Sequence, residues 1–74
     1  MTDLENPIEK DPEVLSGAPC FKGTRVPVAA LMDYLEAGDR VDDFLDDFPT
    51  VTRHQVSAVL RIASDAVMHH ARSA

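Results

Sequence analysis

From Val28 to the end of the chain, apolar positions recur every three or four residues, the spacing of one helical face. Val28, Leu31, Met32 and Leu35 predict a first helix over 28–37, with Asp33 and Glu36 on its other side and Gly38 as its natural stop. After the connection Asp39-Arg40, the residues Val41, Phe44, Leu45 and Phe48 predict a short second helix over 41–47, which Pro49 cannot extend. Asp42, Asp43, Asp46 and Asp47 fall away from that stripe; the first two suit the helix amino terminus, and the second two repel them one turn on. The third helix has the strongest start signal. Thr52 and Gln55 form a Thr-x-x-Gln capping box, and Val51 and Val56 the matching hydrophobic staple. Val56, Val59, Leu60, Ala63 and Val67 then predict its buried stripe, while Arg53, His54, Ser57, Arg61 and Ser64 lie on an opposite polar face at about 100° per residue. Ile62 and Ala66 widen the apolar side, which points to contact with a second surface.

Before Val28 the pattern changes. Gly17-Ala18-Pro19-Cys20-Phe21-Lys22-Gly23-Thr24-Arg25-Val26-Pro27-Val28 is punctuated by glycines that permit unusual backbone angles and prolines that enforce extended neighbours. Cys20-Phe21 and Arg25-Val26 are expected to pair as strands across Gly23-Thr24. Residues 1–10 read as an irregular or strand-like arm, with Leu4 and Ile8 as apolar anchors that pack on the domain or on a partner subunit. Asp11-Pro12-Glu13 resembles a helix start, and Gly17 leaves room for only one turn. The resulting expectation is an all-α, trihelical helix-turn-helix-like domain with a short amino-terminal extended or hairpin segment. It divides into an arm and Gly/Pro-rich hinge (1–27), a trihelical unit (28–70) and a tail (71–74).

Length and charge narrow the picture. A chain of 74 residues forms one domain at most and has a modest core, for which association with a second copy is a common remedy. A homodimer is therefore expected. The single cysteine, Cys20, rules out an internal disulfide, fits a cytoplasmic setting and reads as a small buried apolar residue. No apolar run reaches membrane-span length, and the acidic amino terminus lacks the character of a signal peptide. The net charge of −6 is unevenly spread: −4 over residues 1–20, zero over 21–40, −4 over 41–50 and +2 over 51–74. Only the last segment suits nucleic acid, whereas the acidic ones suit a basic partner or simply solubility.

These faces also bound the candidate chemistry. No serine, cysteine or histidine sits in a nucleophile arrangement, no phosphate-binding glycine loop is present, and no calcium-loop pattern surrounds the aspartates; no catalytic residue, metal or cofactor is expected. His69-His70 are adjacent, do not share a helix face and read as a frayed tail. Arg25 reads as a fork tying the hinge to nearby carboxylates or carbonyls rather than as a phosphate-binding or catalytic arginine. In a helix-turn-helix domain the third helix would enter the major groove, and Arg53, His54, Ser57 and Arg61 are the candidate DNA contacts, with an ordinary solvated face as the alternative. Asp42, Asp43, Asp46 and Asp47 are the candidate docking surface for a basic partner; here too a solvated face is the alternative.

The run Gly17-x-Pro19, then Lys22-Gly23-Thr24-Arg25-Val26-Pro27-Val28, resembles the signature of domain-of-unknown-function family 433. Asp11 to Gly17 fit that family's lead-in. Gly38, Phe44, Phe48-Pro49, Thr52, Gln55-Val56 and Leu60 fit its pattern on the carboxyl-terminal side of the signature, so the likeness covers roughly residues 8 to 66. Its most specific positions are Gly17, Pro19, Gly23, Thr24, Arg25 and Pro27. The resemblance implies a small bacterial or archaeal helix-turn-helix protein, an antitoxin of the VapB type that neutralises a PIN-like ribonuclease toxin and binds operator DNA. A stand-alone DNA-binding regulator and a protein-interaction module without DNA binding are the alternatives.

Overall fold

The computed structural model describes residues 6–13 and 15–73. Its elements are strand β1 (Ile8–Glu9), a 3-10 turn (Leu15–Gly17), strand β2 (Cys20–Phe21) and helices α1 (Val28–Glu36), α2 (Val41–Asp47) and α3 (Arg53–Ser73). Three helices dominate, and a two-stranded antiparallel sheet lies near the amino terminus.

Cys20-Phe21 meets Arg25-Val26 across Gly23-Thr24 as expected: the Phe21 amide donates to the Val26 carbonyl at 3.0 Å, the Val28 amide to the Pro19 carbonyl at 2.9 Å, and Cys20 forms an isolated antiparallel bridge with Pro27. The opposite edge of β2 pairs with β1 in the register Ile8↔Phe21 and Glu9↔Cys20, a partner the residue pattern does not specify. There the Lys22 amide donates to the Pro7 carbonyl at 2.8 Å, and Ile8 packs half-buried against the core. Of the two expected places for Ile8, the domain itself is the one it takes. Leu4 lies outside the described residues. Asp11 accepts the Glu13 amide at 2.9 Å in a local side-chain turn, and the single helical turn starts later than expected, at Leu15.

Phe21, Leu31, Phe44, Val51, Val56 and Val59 form the buried core, with a contribution from β2, each helix and the turn before α3. Phe44 is its centre. Its ring lies 5.8 Å from Phe21, 5.4 Å and edge-on from Tyr34, and 5.0 Å from Phe48, so all four aromatic residues of the chain share one cluster. Cys20 is buried beside β1, as a small apolar residue would be.

Local signals set the helix ends. Gly38, at φ 89°, closes α1 in a left-handed conformation; its amide donates to Leu35 and that of Asp39 to Tyr34, satisfying carbonyls that the helix leaves open. Asp43 accepts the Arg40 amide at 2.9 Å and secures the start of α2. The capping box of α3 forms as read: the Thr52 amide donates to Gln55 Oε1 at 3.0 Å, and the Gln55 amide to Thr52 Oγ1 at 3.1 Å. Val51 and Val56, the staple pair, are both buried.

The 21 residues of α3 span about 31 Å at 1.5 Å per residue. Helices α1 and α2, nine and seven residues long, cover only the first part. Val56 and Val59 are buried, Leu60 and Ala63 half-buried, and residues 64–72 exposed. Val67, expected in the buried stripe, is 61 % exposed, because no other element of the described chain reaches it. The expected tail is likewise helical as far as Ser73, and His69 and His70 lie within α3 rather than in a frayed end.

Candidate nucleic-acid and partner interfaces

The capping box fixes where α3 begins, and the buried Val56 and Val59 fix its rotation. Arg53, His54, Ser57 and Arg61 consequently point away from the core, and all four are exposed. The hydroxyl, imidazole and guanidinium groups gathered there can meet phosphates and base edges. Arg53 is not independent, however. Its guanidinium donates to Asp42 Oδ1 on α2, while Arg40 Nη2 lies 3.4 Å from the other oxygen of the same carboxylate. The hydrogen bond from Arg53 and then its charge hold the Asp42 carboxyl below the usual range, with Arg40 adding a smaller effect.

The four aspartates of α2 are all exposed, but they do different things. Asp42 is bound to Arg53. Asp43 caps the helix. Asp47 accepts the Tyr34 hydroxyl at 2.6 Å, a bond that raises the phenol above its ordinary pKa because it favours the protonated form. Asp46 makes no hydrogen bond or ion pair among the described residues. Three of the four therefore have work inside the fold, and an acidic face remains at Asp43, Asp46 and Asp47, where a carboxylate can accept further donors.

The glycine- and proline-rich motif is largely architectural. Thr24 Oγ1 donates to the Phe21 carbonyl at 2.7 Å and accepts the Val26 amide at 3.1 Å, folding the turn upon itself. Gly23, at φ 78°, supplies the backbone conformation this turn needs and donates to the Glu9 carboxylate. The Pro19 carbonyl accepts the Val28 amide at 2.9 Å, and Pro27 sits extended immediately before α1. Gly17 adopts φ 82° after Ser16, itself left-handed at φ 57°, and together they reverse the chain between the arm and β2. Arg25 differs from this set. The expected tie between Arg25 and a carboxylate or carbonyl does not form: the residue is exposed and has neither a hydrogen bond nor an ion pair among the described residues.

Two links are not legible in the residue pattern. Gln55 Nε2 donates to the Lys22 carbonyl at 2.9 Å, binding the motif turn to the start of α3. The Arg53–Asp42 pair joins the candidate DNA face to the candidate docking face. Both span elements whose relative placement depends on the packed core, and only the opposite charges of Arg53 and Asp42 hint at either.

A second exposed feature is apolar. Ile62, Val67 and Met68 are 46 %, 61 % and 58 % exposed on the projecting part of α3. Among the described residues no three metal-ligating side chains converge, and no helix is long and apolar enough to cross a membrane.

A three-helix domain carrying an amino-terminal strand pair and one long, basic-faced helix is thus the class of protein defined by fold and surface. The profile of the family described as "Protein of unknown function (DUF433)" matches residues 8–63. The chain belongs to that family. Among solved structures it is similar to a member of the same family from Anabaena variabilis, with 28 % identity, a TM-score of 0.73, and coverage of 95 % of this chain and 69 % of that one. No curated protein matches the chain.

Proposed function

We propose that this protein is an antitoxin that neutralises a PIN-like ribonuclease toxin and represses its own operon through a helix-turn-helix. The observation that supports it most is the α2–α3 corner. Two helices meet across the short turn 48–52, and the second begins with four exposed DNA-compatible side chains, Arg53, His54, Ser57 and Arg61. The toxin would dock through complementary charge on Asp43, Asp46 and Asp47, with Asp42 contributing once Arg53 turns to DNA. The second copy of a homodimer would cover the exposed apolar positions of α3, including Ile62 and Ala66. No catalytic residue and no cofactor enters this reading, and its setting is the cytoplasm. The test is a gel-shift titration with the DNA upstream of its gene at several salt concentrations. Salt-dependent retardation supports the helix-turn-helix, and none at low salt refutes it.

One observation favours a second reading, an interaction module without DNA binding. Arg53, the cation nearest the helix start, is already neutralised by Asp42, and the chain as a whole is acidic. Toxin neutralisation without DNA retardation would select that reading.

A further inference from the structure

We infer that Arg25, on the motif turn, is a phosphate contact in the same nucleic-acid interface as α3, anchoring the DNA strand on the flank of the helix opposite Asp42. The inference rests on the DNA-binding reading above and adds to it a residue that the α3 face does not contain. Three observations carry it.

The first is that Arg25 is uncommitted among the described residues. A guanidinium whose role was internal would be expected on a carboxylate or a row of carbonyls. Here it is exposed, and no described residue holds it.

The second is that its backbone is rigid and placed. Phe21 and Thr24 close the turn at 3.0 Å, Phe21 and Val26 close it again at 3.0 Å, and Thr24 Oγ1 braces it from within. Gln55 then fastens the turn to the first turn of α3 through the Lys22 carbonyl. A cation on a braced turn gives up side-chain freedom but no backbone freedom when it meets a ligand.

The third is the geometry of the helix. Arg53 and Gln55 are two residues apart, about 200° round the axis, so they lie on opposite flanks. Asp42 and α2 take the Arg53 flank, and the motif turn takes the Gln55 flank. His54, Ser57 and Arg61 occupy the exposed ridge away from the core. A helix seated in the major groove turns its ridge to the bases and its flanks to the two phosphate backbones. Arg25 and Arg53 then stand one on each side. Glu9, a carboxylate beside the turn, accepts the Gly23 amide and makes no ion pair with Arg25. Duplex DNA is favoured over an acidic protein because the turn that carries Arg25 is fastened to the first turn of α3, the helix that carries the DNA-compatible groups, and not to α2.

The test is fluorescence anisotropy with a mixed-sequence duplex of about two helical turns, ~20 base pairs, over a series of salt concentrations. Arg25→Ala is expected to weaken binding several-fold and to lower the slope of log affinity against log salt by about one unit, the signature of one lost phosphate contact. Arg25→Lys is expected to keep the slope. Circular dichroism and melting of both variants should match the parent, because the side chain makes no hydrogen bond or ion pair with the described fold. If the parent binds and Arg25→Ala binds with equal affinity and slope, the assignment of Arg25 is wrong while the α3 reading stands. If the parent does not bind at low salt, the DNA reading fails and Arg25 with it. If Arg25→Ala keeps DNA binding but loses ribonuclease inhibition, the residue belongs to the toxin interface, which also overturns the inference.

Discussion

Arg53 on α3 donates to the Asp42 carboxylate on α2, so the two surfaces that the charge pattern separates are joined by one ion pair. A DNA face and a toxin face that share a residue pair are not independent. Phosphate must compete with Asp42 for Arg53, and releasing Asp42 adds negative charge to the docking face.

Asp42→Ala should therefore strengthen DNA binding. Removing the carboxylate frees Arg53 and removes a repulsive charge, so affinity should rise and the salt slope should steepen by a fraction of a unit, up to about one. Anisotropy titrations of parent and variant check this. An unchanged slope would mean that Arg53 makes no phosphate contact. To disturb the toxin face alone, the better substitutions are Asp43, Asp46 and Asp47 to lysine.

The same pair makes acid stability directional. Asp42 has its folded pKa held below the ordinary value by Arg53. Its contribution is therefore complete above the ordinary carboxylate pKa, about 4, and disappears as pH falls through the depressed value. Melting temperature should fall along that acid limb in the parent. Arg53→Ala should lower the plateau above the limb and flatten the limb itself, so that parent and variant converge at acid pH; thermal denaturation across a pH series reads the difference.

Thr52→Ala should destabilise the fold by about 1 kcal/mol, the usual loss for an amino-terminal cap. The Thr52 hydroxyl meets the Gln55 amide directly, and the staple residues beside it are buried. Urea denaturation should show a lower midpoint with an unchanged slope. No shift would mean that the cap adds nothing to the packed staple.

That cap and the helix ends at Gly38 and Pro49 are legible in the sequence because each is a local device, complete within a few neighbouring residues. The buried stripe is legible only as far as Ala63. Periodicity shows which way Val67 faces, but not whether a neighbour is long enough to meet it, and α1 and α2 are not. The meeting of Cys20-Phe21 with Arg25-Val26 is legible because the turn between them is local, whereas the pairing of the other edge of β2 with Ile8-Glu9 joins segments separated by the Asp11–Gly17 reversal and has no local signal. The polar face of α3 can be read from spacing alone. The engagement of Arg53, and the absence of a partner for Arg25 among the described residues, cannot, since both depend on how the turn, α2 and α3 meet around Phe44.

The projecting part of α3 should govern self-association. Ile62 and Val67 are large, apolar and exposed beyond the buried part of the helix. Light scattering at micromolar concentration should give about twice the chain mass for the parent. Ile62→Glu with Val67→Glu should give a monomer whose circular dichroism spectrum still shows the three helices. A monomeric parent would remove the dimer from the proposal.

The antitoxin role itself is tested most directly by a ribonuclease inhibition titration against the protein that co-purifies from the neighbouring gene. Ribonuclease activity should fall to background as the chain approaches a fixed stoichiometric ratio, and the Asp43, Asp46 and Asp47 lysine variant should require more protein to reach it. Full ribonuclease activity in the presence of saturating chain, or failure of the two proteins to form a complex, would contradict the role.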